Sequence, residues 1–295
     1  MADFTGNGIQ DAVLSCKSGI WFFTVLGGGV FSPGVLTPID PTGATENATL
    51  VSADFNGDGN LDLAVGYYGN GSPSGFALLL GKGDGTFQAP IIYDAPSYPK
   101  WMAVGDLNGD GLPDLLVGWP GTGGGAIFLN NDKGGFGEPI AITKPIEGGA
   151  IGDLNGDHIA DIVTSDGNVY FGLGNAQFAP PVNYPVADGV APYNVVLADL
   201  RKKGLTDIVA GEVSAASVLL NEGKGTFVDG EWAASVPGAY DCAAGADFNG
   251  DVSRTWRCLR RKGSPFYLAP ARPKRHTPRG RPLPCPVRAA PSQEI

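Results

Sequence analysis

The chain has 295 residues, with 46 glycines, 24 prolines and a formal net charge of −10. No run of 18 or more apolar residues occurs, so a transmembrane helix is not expected and membrane insertion is excluded on that ground. The charge is unevenly spread: residues 1–251 hold 9 Lys+Arg against 29 Asp+Glu, whereas residues 252–295 hold 11 against 1. So acidic a body disfavours binding of nucleic acid. The four cysteines, Cys16, Cys242, Cys258 and Cys285, show no zinc-site spacing and no framework of pairs.

In chain order, one acidic turn keeps returning. DFTGNGIQD opens at Asp3, DFNGDGNLD at Asp54, DLNGDGLPD at Asp106, DLNGDHIAD at Asp153 and DLRKKGLTD at Asp199. DFNGD starts again at Asp247, and the spacings are 51, 52, 47, 46 and 48 residues. Repetition at this period marks a solenoid, a propeller or an array. Each unit carries the same beats. A short apolar stretch precedes the turn, as in LVSAD (50–54). A second follows it, as in LLVG (115–118). A third comes after a Gly/Ser/Pro-rich link, as in FALLL (76–80). A glycine-rich turn then ends in Phe31, Phe87, Phe136, Phe178 or Phe227, and a fourth short segment such as IIY (91–93) closes the unit. Runs of four or five apolar residues between turn signals read as strands, because helices need ten or more. Four strands per 40–50 residues is the pattern of a β-propeller blade. The recurring phenylalanines are expected as core residues wedged between blades.

The turn itself has the layout of a loop around a hard cation. Oxygen-bearing side chains stand at places one, three, five and nine, and a residue tolerant of positive φ stands at place six. In the second copy the expected ligands are Asp54, Asn56, Asp58 and Asp62, with the Asn60 carbonyl. In the third they are Asp106, Asn108, Asp110 and Asp114, with the Leu112 carbonyl. In the fourth they are Asp153, Asn155, Asp157 and Asp161, with the Ile159 carbonyl. His158 replaces the sixth-place glycine and is read as a turn residue rather than a ligand. Three carboxylates per loop suit Ca²⁺ over Mg²⁺. The first copy is poorer: Asp3, Thr5, Asn7 and Asp11, with Ile9 at the carbonyl place, give a weaker site. In the fifth copy Arg201 and Lys203 stand at places three and five, so no metal is expected there, their charge neutralising Asp199 and Asp207.

The text from Val104 to Asn130, VGDLNGDGLPDLLVGWPGTGGGAIFLN, resembles the FG-GAP repeat of integrin α-chain propellers and the related VCBS repeats of secreted bacterial proteins. The resemblance covers about residues 1–251. It implies an all-β propeller of four-stranded blades, about five complete and a partial sixth, as part of a seven-bladed ring. It also implies an extracellular or cell-surface location and a role in adhesion or ligand recognition.

The two ends depart from the pattern. No first strand is expected before Asp3, and no signal peptide is visible after Met1. Residues 252–295 turn basic and Pro/Arg-rich, lose the periodicity and read as a disordered tail. A single missing base near codon 252 permits the repeat text G-[QKE]-P-D-L-A-V in the shifted frame, so the tail is expected as an out-of-frame product. The rival is a natural basic tail.

No Ser/His/Asp or Cys/His arrangement can be drawn from two histidines, His158 and His276. The expected function is therefore non-enzymatic: a Ca²⁺-binding propeller with a protein or glycan partner. The alternatives are a lectin propeller, with Tyr67, Tyr68 and Trp119 as candidates to stack on a sugar, and an accessory domain of a larger secreted enzyme. For those three residues ordinary packing between blades is the stronger expectation.

Overall fold

The computed structural model describes residues 2–16, 19–39, 45–69, 72–119, 123–142, 144, 146, 148–185, 194–211, 216–230, 239–246, 255–260 and 266–268. For the last three segments, and for 45–48, 69, 72–73, 194, 211 and 216, only the backbone is described. The described residues form strands and turns and contain no α-helix.

Blade 1 pairs Ala12–Cys16, Gly19–Phe23 and Val35–Thr37, with a one-residue bridge from Ala2 to Asp11 where a first strand would run. Among the described residues no strand precedes Asp3, and Ala2 makes only this isolated bridge. Blade 2 is Thr45–Ala53, Asp62–Gly69, Ser72–Leu79 and Ile91–Ala95. Blade 3 is Trp101–Gly105, Asp114–Trp119, Gly124–Phe128 and Ile140–Ile142. Blade 4 is Gly149–Gly152, Asp161–Thr164, Asn168–Tyr170 and Val182–Asn183. Blade 5 is Asn194–Ala198, Asp207–Gly211, Ala216–Asn221 and Phe227–Asp229. A sixth sheet pairs Ala239–Ala246, Thr255–Arg260 and Phe266–Leu268. Every pairing is antiparallel, and all join sequence neighbours except that of Asn168–Tyr170 with Val182–Asn183, between which Gly172–Gly174 and Gln177–Phe178 form a separate two-stranded hairpin. The first strands of blades 2 to 6 lie against one another in order. This is a β-propeller of successive blades, with four four-stranded sheets between two three-stranded ones.

The sixth sheet places strands inside the region set apart as a tail. Thr255 pairs Ala246 at the register that pairs Asp62 with Ala53. The rest of residues 252–295, and the sixth loop from Asp247, lie outside the described residues.

The hydrophobic core sits between blades rather than inside one. Phe4, Ile20 and Phe22 of blade 1 meet Leu63, Val65 and Leu79 of blade 2. The other face of blade 2, with Phe55, Ala64, Phe76 and Leu78, meets Leu115, Val117 and Phe128 of blade 3. Blades 3 and 4 share Leu107, Leu116, Ile127 and Ile162, and blades 4 and 5 share Leu154, Val163, Ile208 and Leu219. A strand buried on both faces loses polar alternation, which is why Asp114–Trp119 is a continuous apolar run after its aspartate. Each fully buried large side chain of this kind contributes about 1.5–3 kcal/mol. The recurring phenylalanine closes three of these seams. Phe87 packs edge-on to Phe4 and Phe22, Phe136 to Phe55, and Phe227 is buried with Leu154. Phe178 is half-buried, and Phe31 is exposed.

Candidate metal loops

All five described loops join the first strand, or in blade 1 its stub, to the second. They share one hydrogen-bond scaffold. The first-place aspartate accepts backbone N–H groups from the loop's own crown. The sixth-place N–H reaches its Oδ2 at 2.7 Å from Gly8, 2.8 Å from Gly59, 2.9 Å from Gly111, 3.0 Å from His158 and 2.7 Å from Gly204. That sixth residue must take a positive φ to aim its N–H inward. Gly59 has φ +85° and Gly111 +86°, and His158 holds +67°. His158 is thus a turn residue, with its imidazole in solvent and Nδ1 3.6 Å from Asp153.

The ninth-place aspartate is fully buried in every loop. Its two oxygens bridge two backbone segments. One accepts the second-place N–H, and the other accepts an N–H from the turn after the third strand. For Asp62 these come from Phe55 at 2.8 Å and Gly81 at 2.7 Å. For Asp114 they come from Leu107 at 2.9 Å and Asn130 at 2.8 Å. For Asp161 they come from Leu154 and Gly172, both at 2.8 Å. Asp11 and Asp207 repeat this with Phe4 and Val25, and with Leu200 and Asn221. Burial raises the pKa of Asp62, Asp114 and Asp161. The two backbone donors oppose that rise, and the charges of the first- and fifth-place aspartates add to it.

Places three and five separate the loops. In the second, third and fourth copies the asparagine Oδ1 accepts the fifth-place N–H, at 3.0, 2.9 and 2.8 Å for Asn56, Asn108 and Asn155. Its amide donates to the fifth-place carboxylate, Asp58, Asp110 or Asp157. That carboxylate also accepts the seventh-place N–H of Asn60, Leu112 or Ile159 at 2.7–2.8 Å. The seventh-place carbonyls stay on the same turn. In the first copy the hydroxyl of Thr5 donates to Asp11 at 3.2 Å, and Asn7 accepts from Ile9. That leaves two carboxylates on the loop.

The donor set of copies two to four fits a hard divalent ion: three carboxylates, one amide oxygen and one carbonyl on a single turn. Each side-chain oxygen bound by one N–H keeps a second lone pair. The buried ninth carboxylate feels two like charges with no cation among its partners. Among the described residues no three acidic, His or Cys side chains are already gathered at metal-holding distance. An ion would therefore have to draw the carboxylates together.

In the fifth copy a cation is built in. Arg201 donates to Asp207 through Nη2 at 3.1 Å, to Glu222 through Nη1 at the next turn, and to the carbonyl of Asn221. Its pKa is raised: burial alone would lower it, but Glu222 and Asp207 outweigh that. Asp199 is held instead by the N–H groups of Lys203 and Gly204.

Two functional positions escaped the sequence reading. Asn130 reaches back to the preceding loop, donating to the Phe55 carbonyl at 2.7 Å, and Asn221 does the same to Leu154 at 2.8 Å. They tie the loops of blades 2 and 4 to the blades that follow them. The signal was present as a shared Leu-Asn, just past the third strand at 129–130 and at its end at 220–221. Tyr67 and Trp119, candidates for sugar stacking, are instead buried between blades, and Tyr68 packs against Tyr98.

A set of antiparallel blades with their cores between them, each led by an aspartate-rich loop, defines a repeat propeller. A family model for the FG-GAP-like repeat matches residues 3–65, 54–117 and 106–164, more than half of the chain, and the chain belongs to that family. The mouse and rat phosphatidylinositol-glycan-specific phospholipases D are each 36% identical to it, over 96 and 98 residues. Those matches span 28% of this chain and 12% of either relative. Among solved structures, a lectin of Agrocybe aegerita that recognises non-reducing terminal N-acetylglucosamine has a TM-score of 0.60 at 19% identity. It covers 87% of this chain and 73% of that chain. BBS1N in complex with ARL6DN has a TM-score of 0.57 at 13% identity, covering 87% and 74%. The Dos1 propeller has 0.54 at 12%, covering 88% and 64%. At these identities the likeness is one of fold.

Proposed function

We propose that this chain is a Ca²⁺-stabilised, non-enzymatic recognition propeller of an extracellular or cell-surface protein. The observation that carries this reading is the repeated loop of copies two to four. Three loops of different sequence aim the same three carboxylates and one amide at one turn. Ca²⁺ would be held by Asp54, Asn56, Asp58 and Asp62, by Asp106, Asn108, Asp110 and Asp114, and by Asp153, Asn155, Asp157 and Asp161. When bound it supplies fixed positive charge that joins the two ends of the loop. The loops present no nucleophile beside the carboxylates, so the role is structural. At millimolar extracellular calcium even weak sites would fill. Titration calorimetry with Ca²⁺ and Mg²⁺, paired with melting curves, tests it. Three Ca²⁺ sites and a raised melting temperature are expected. Neither heat nor a shift in melting would end the proposal.

The partner in this reading is a protein or a glycan. The Agrocybe lectin favours a glycan by fold alone, and the burial of Tyr67 and Trp119 removes the sugar platform read from the sequence. The 96-residue likeness to the mouse phospholipase supports a second reading, in which such a propeller accompanies an enzyme that lies outside these blades. A glycan array and a binding screen with secreted proteins would separate the two partner classes.

A further inference from the structure

The blades differ at one place, the residue after the third strand whose N–H holds the buried ninth-place aspartate. It is Val25, Gly81, Asn130, Gly172 and Asn221 in blades 1 to 5. In blades 2 and 4 the eighth-place carbonyl of the loop crowds that glycine. A Cβ on Gly81 would strike the Leu61 carbonyl, and one on Gly172 that of Ala160. In blades 3 and 5 an asparagine stands there, and both asparagines are buried. The amide of Asn130 is engaged at both ends. Its Nδ2 donates to the eighth-place carbonyl of its own loop, Pro113, at 3.2 Å and to the Phe55 carbonyl of the preceding loop at 2.7 Å. Its Oδ1 accepts the Asp132 N–H at 3.0 Å, which fixes the way the amide faces. Asn221 repeats this with Thr206, Leu154 and Gly223.

Phe55 is also the residue whose N–H holds Asp62. A chain of hydrogen bonds therefore runs from Asp114 to the Asn130 backbone, from the Asn130 side chain to the Phe55 carbonyl, and from the Phe55 N–H to Asp62. Its two ends are the buried carboxylates of neighbouring loops. The same chain joins Asp207 to Asp161, but there the partner loop already holds Arg201. The seam of blades 3 and 4 is built differently. The Leu107 carbonyl accepts from the backbone N–H of Ala176 on the separate hairpin, while Asp161 is held by Gly172. Tyrosines brace the same two seams that have the asparagine. Tyr93 accepts the Phe136 N–H at 2.8 Å, and Tyr184 donates to the Gly225 carbonyl at 2.6 Å, on the turns that begin with Asn130 and Asn221. Ile142 holds the tyrosine's place in blade 3.

We propose that Asn130 is a positioning residue that couples the second and third loops, so that Ca²⁺ in either raises the affinity of the other, while the fourth loop binds alone. This rests on the calcium reading of those loops. Filling one loop orders its buried carboxylate, and through Asn130 part of the ordering of the other loop is then already done.

Ca²⁺ titration of the full chain, followed by the amide resonances of Gly59, Gly111 and His158, reads the three loops separately. Asp58→Asn weakens the second loop, so that the third fills first. The third loop should then lose about fivefold in affinity or more, and the fourth should not change. In Asn130→Gly, which carries the residue found at this place in blades 2 and 4, Asp58→Asn should leave the third loop's affinity where it was. Asn221→Gly cuts the sister joint and should leave the coupling intact. A second measurement needs no change at the joint. With Asp110→Asn keeping the third loop empty, Ca²⁺ in the second should slow amide exchange at Leu107 and Asn130. A third loop indifferent to Asp58→Asn overturns the proposal. So does coupling that survives Asn130→Gly, coupling lost equally in Asn221→Gly, or exchange at Asn130 that ignores the second loop's ion. Resonances that never move with Ca²⁺ would end the calcium reading and this proposal together, whereas loops that fill independently end this proposal alone.

Discussion

The third and fifth loops have the same backbone and opposite chemistry. In both, a first-place aspartate gathers N–H groups of the crown, and a buried ninth-place aspartate bridges the loop to the third-strand turn. Asn108 and Asp110 then add polar oxygen, whereas Arg201 and Lys203 add positive charge. In both loops backbone N–H groups thus hold places one and nine, and only in the fifth does a cation, Arg201, add to them. Places three and five decide whether a cation is wanted. The aspartates that look most like ligands have a structural duty first, and in the proposed reading metal binding would be laid over it.

The largest effect should come from breaking what the two loops share. Asp114→Ala strands the buried N–H groups of Leu107 and Asn130. Two unsatisfied donors cost about 2–6 kcal/mol, so urea midpoints should fall whether or not Ca²⁺ is present. A loss seen only with Ca²⁺ would mean that Asp114 is a ligand and little else.

Converting one loop into the other is the sharper test. Arg201→Asn with Lys203→Asp gives DLNKDGLTD. Without metal the variant should lose about 1–3 kcal/mol, because Arg201 no longer neutralises buried Asp207. Millimolar Ca²⁺ should restore that loss and add one site by calorimetry.

Asp110→Asn removes charge from the third loop, keeps the bond from Leu112 on an amide oxygen, and gives up only the solvent-exposed bond from the Asn108 amide. One calcium site should weaken by about tenfold, or 1.4 kcal/mol. Melting in EDTA should move little.

Acid gives the mildest test. Asp62, Asp114 and Asp161 have pKa values raised above 3.8 in the fold. The folded state therefore binds protons more tightly than the unfolded one, and these groups favour folding less as pH rises through the window above 3.8. Ca²⁺ needs the ionised form. The melting gain from Ca²⁺ should be full at neutral pH and fade as pH falls into that window. A gain that persists unchanged to pH 4 would place the ion elsewhere.

The same contrast shows what was legible early. The nine-residue aspartate loop, its period and the four apolar beats predict the blades, because each blade must solve the same packing problem with the same residues. Arg201 as an internal cation was visible from its place in the repeat. Its link to Glu222 was not, because 21 residues of strand and turn separate them. The roles of Asn130 and Asn221 were equally hidden, since their bonds cross from one blade to the loop of the one before.

By itself the sequence determined the local grammar: strands from short apolar runs, and turns from glycine and aspartate. These follow from bonding within a few residues. The tertiary structure alone decided which side chains are covered. Tyr67 and Trp119 went inside, while Leu14, Trp21 and Phe31 were left out, because burial in a propeller depends on the neighbouring blade, and no residue carries that neighbour within its own repeat.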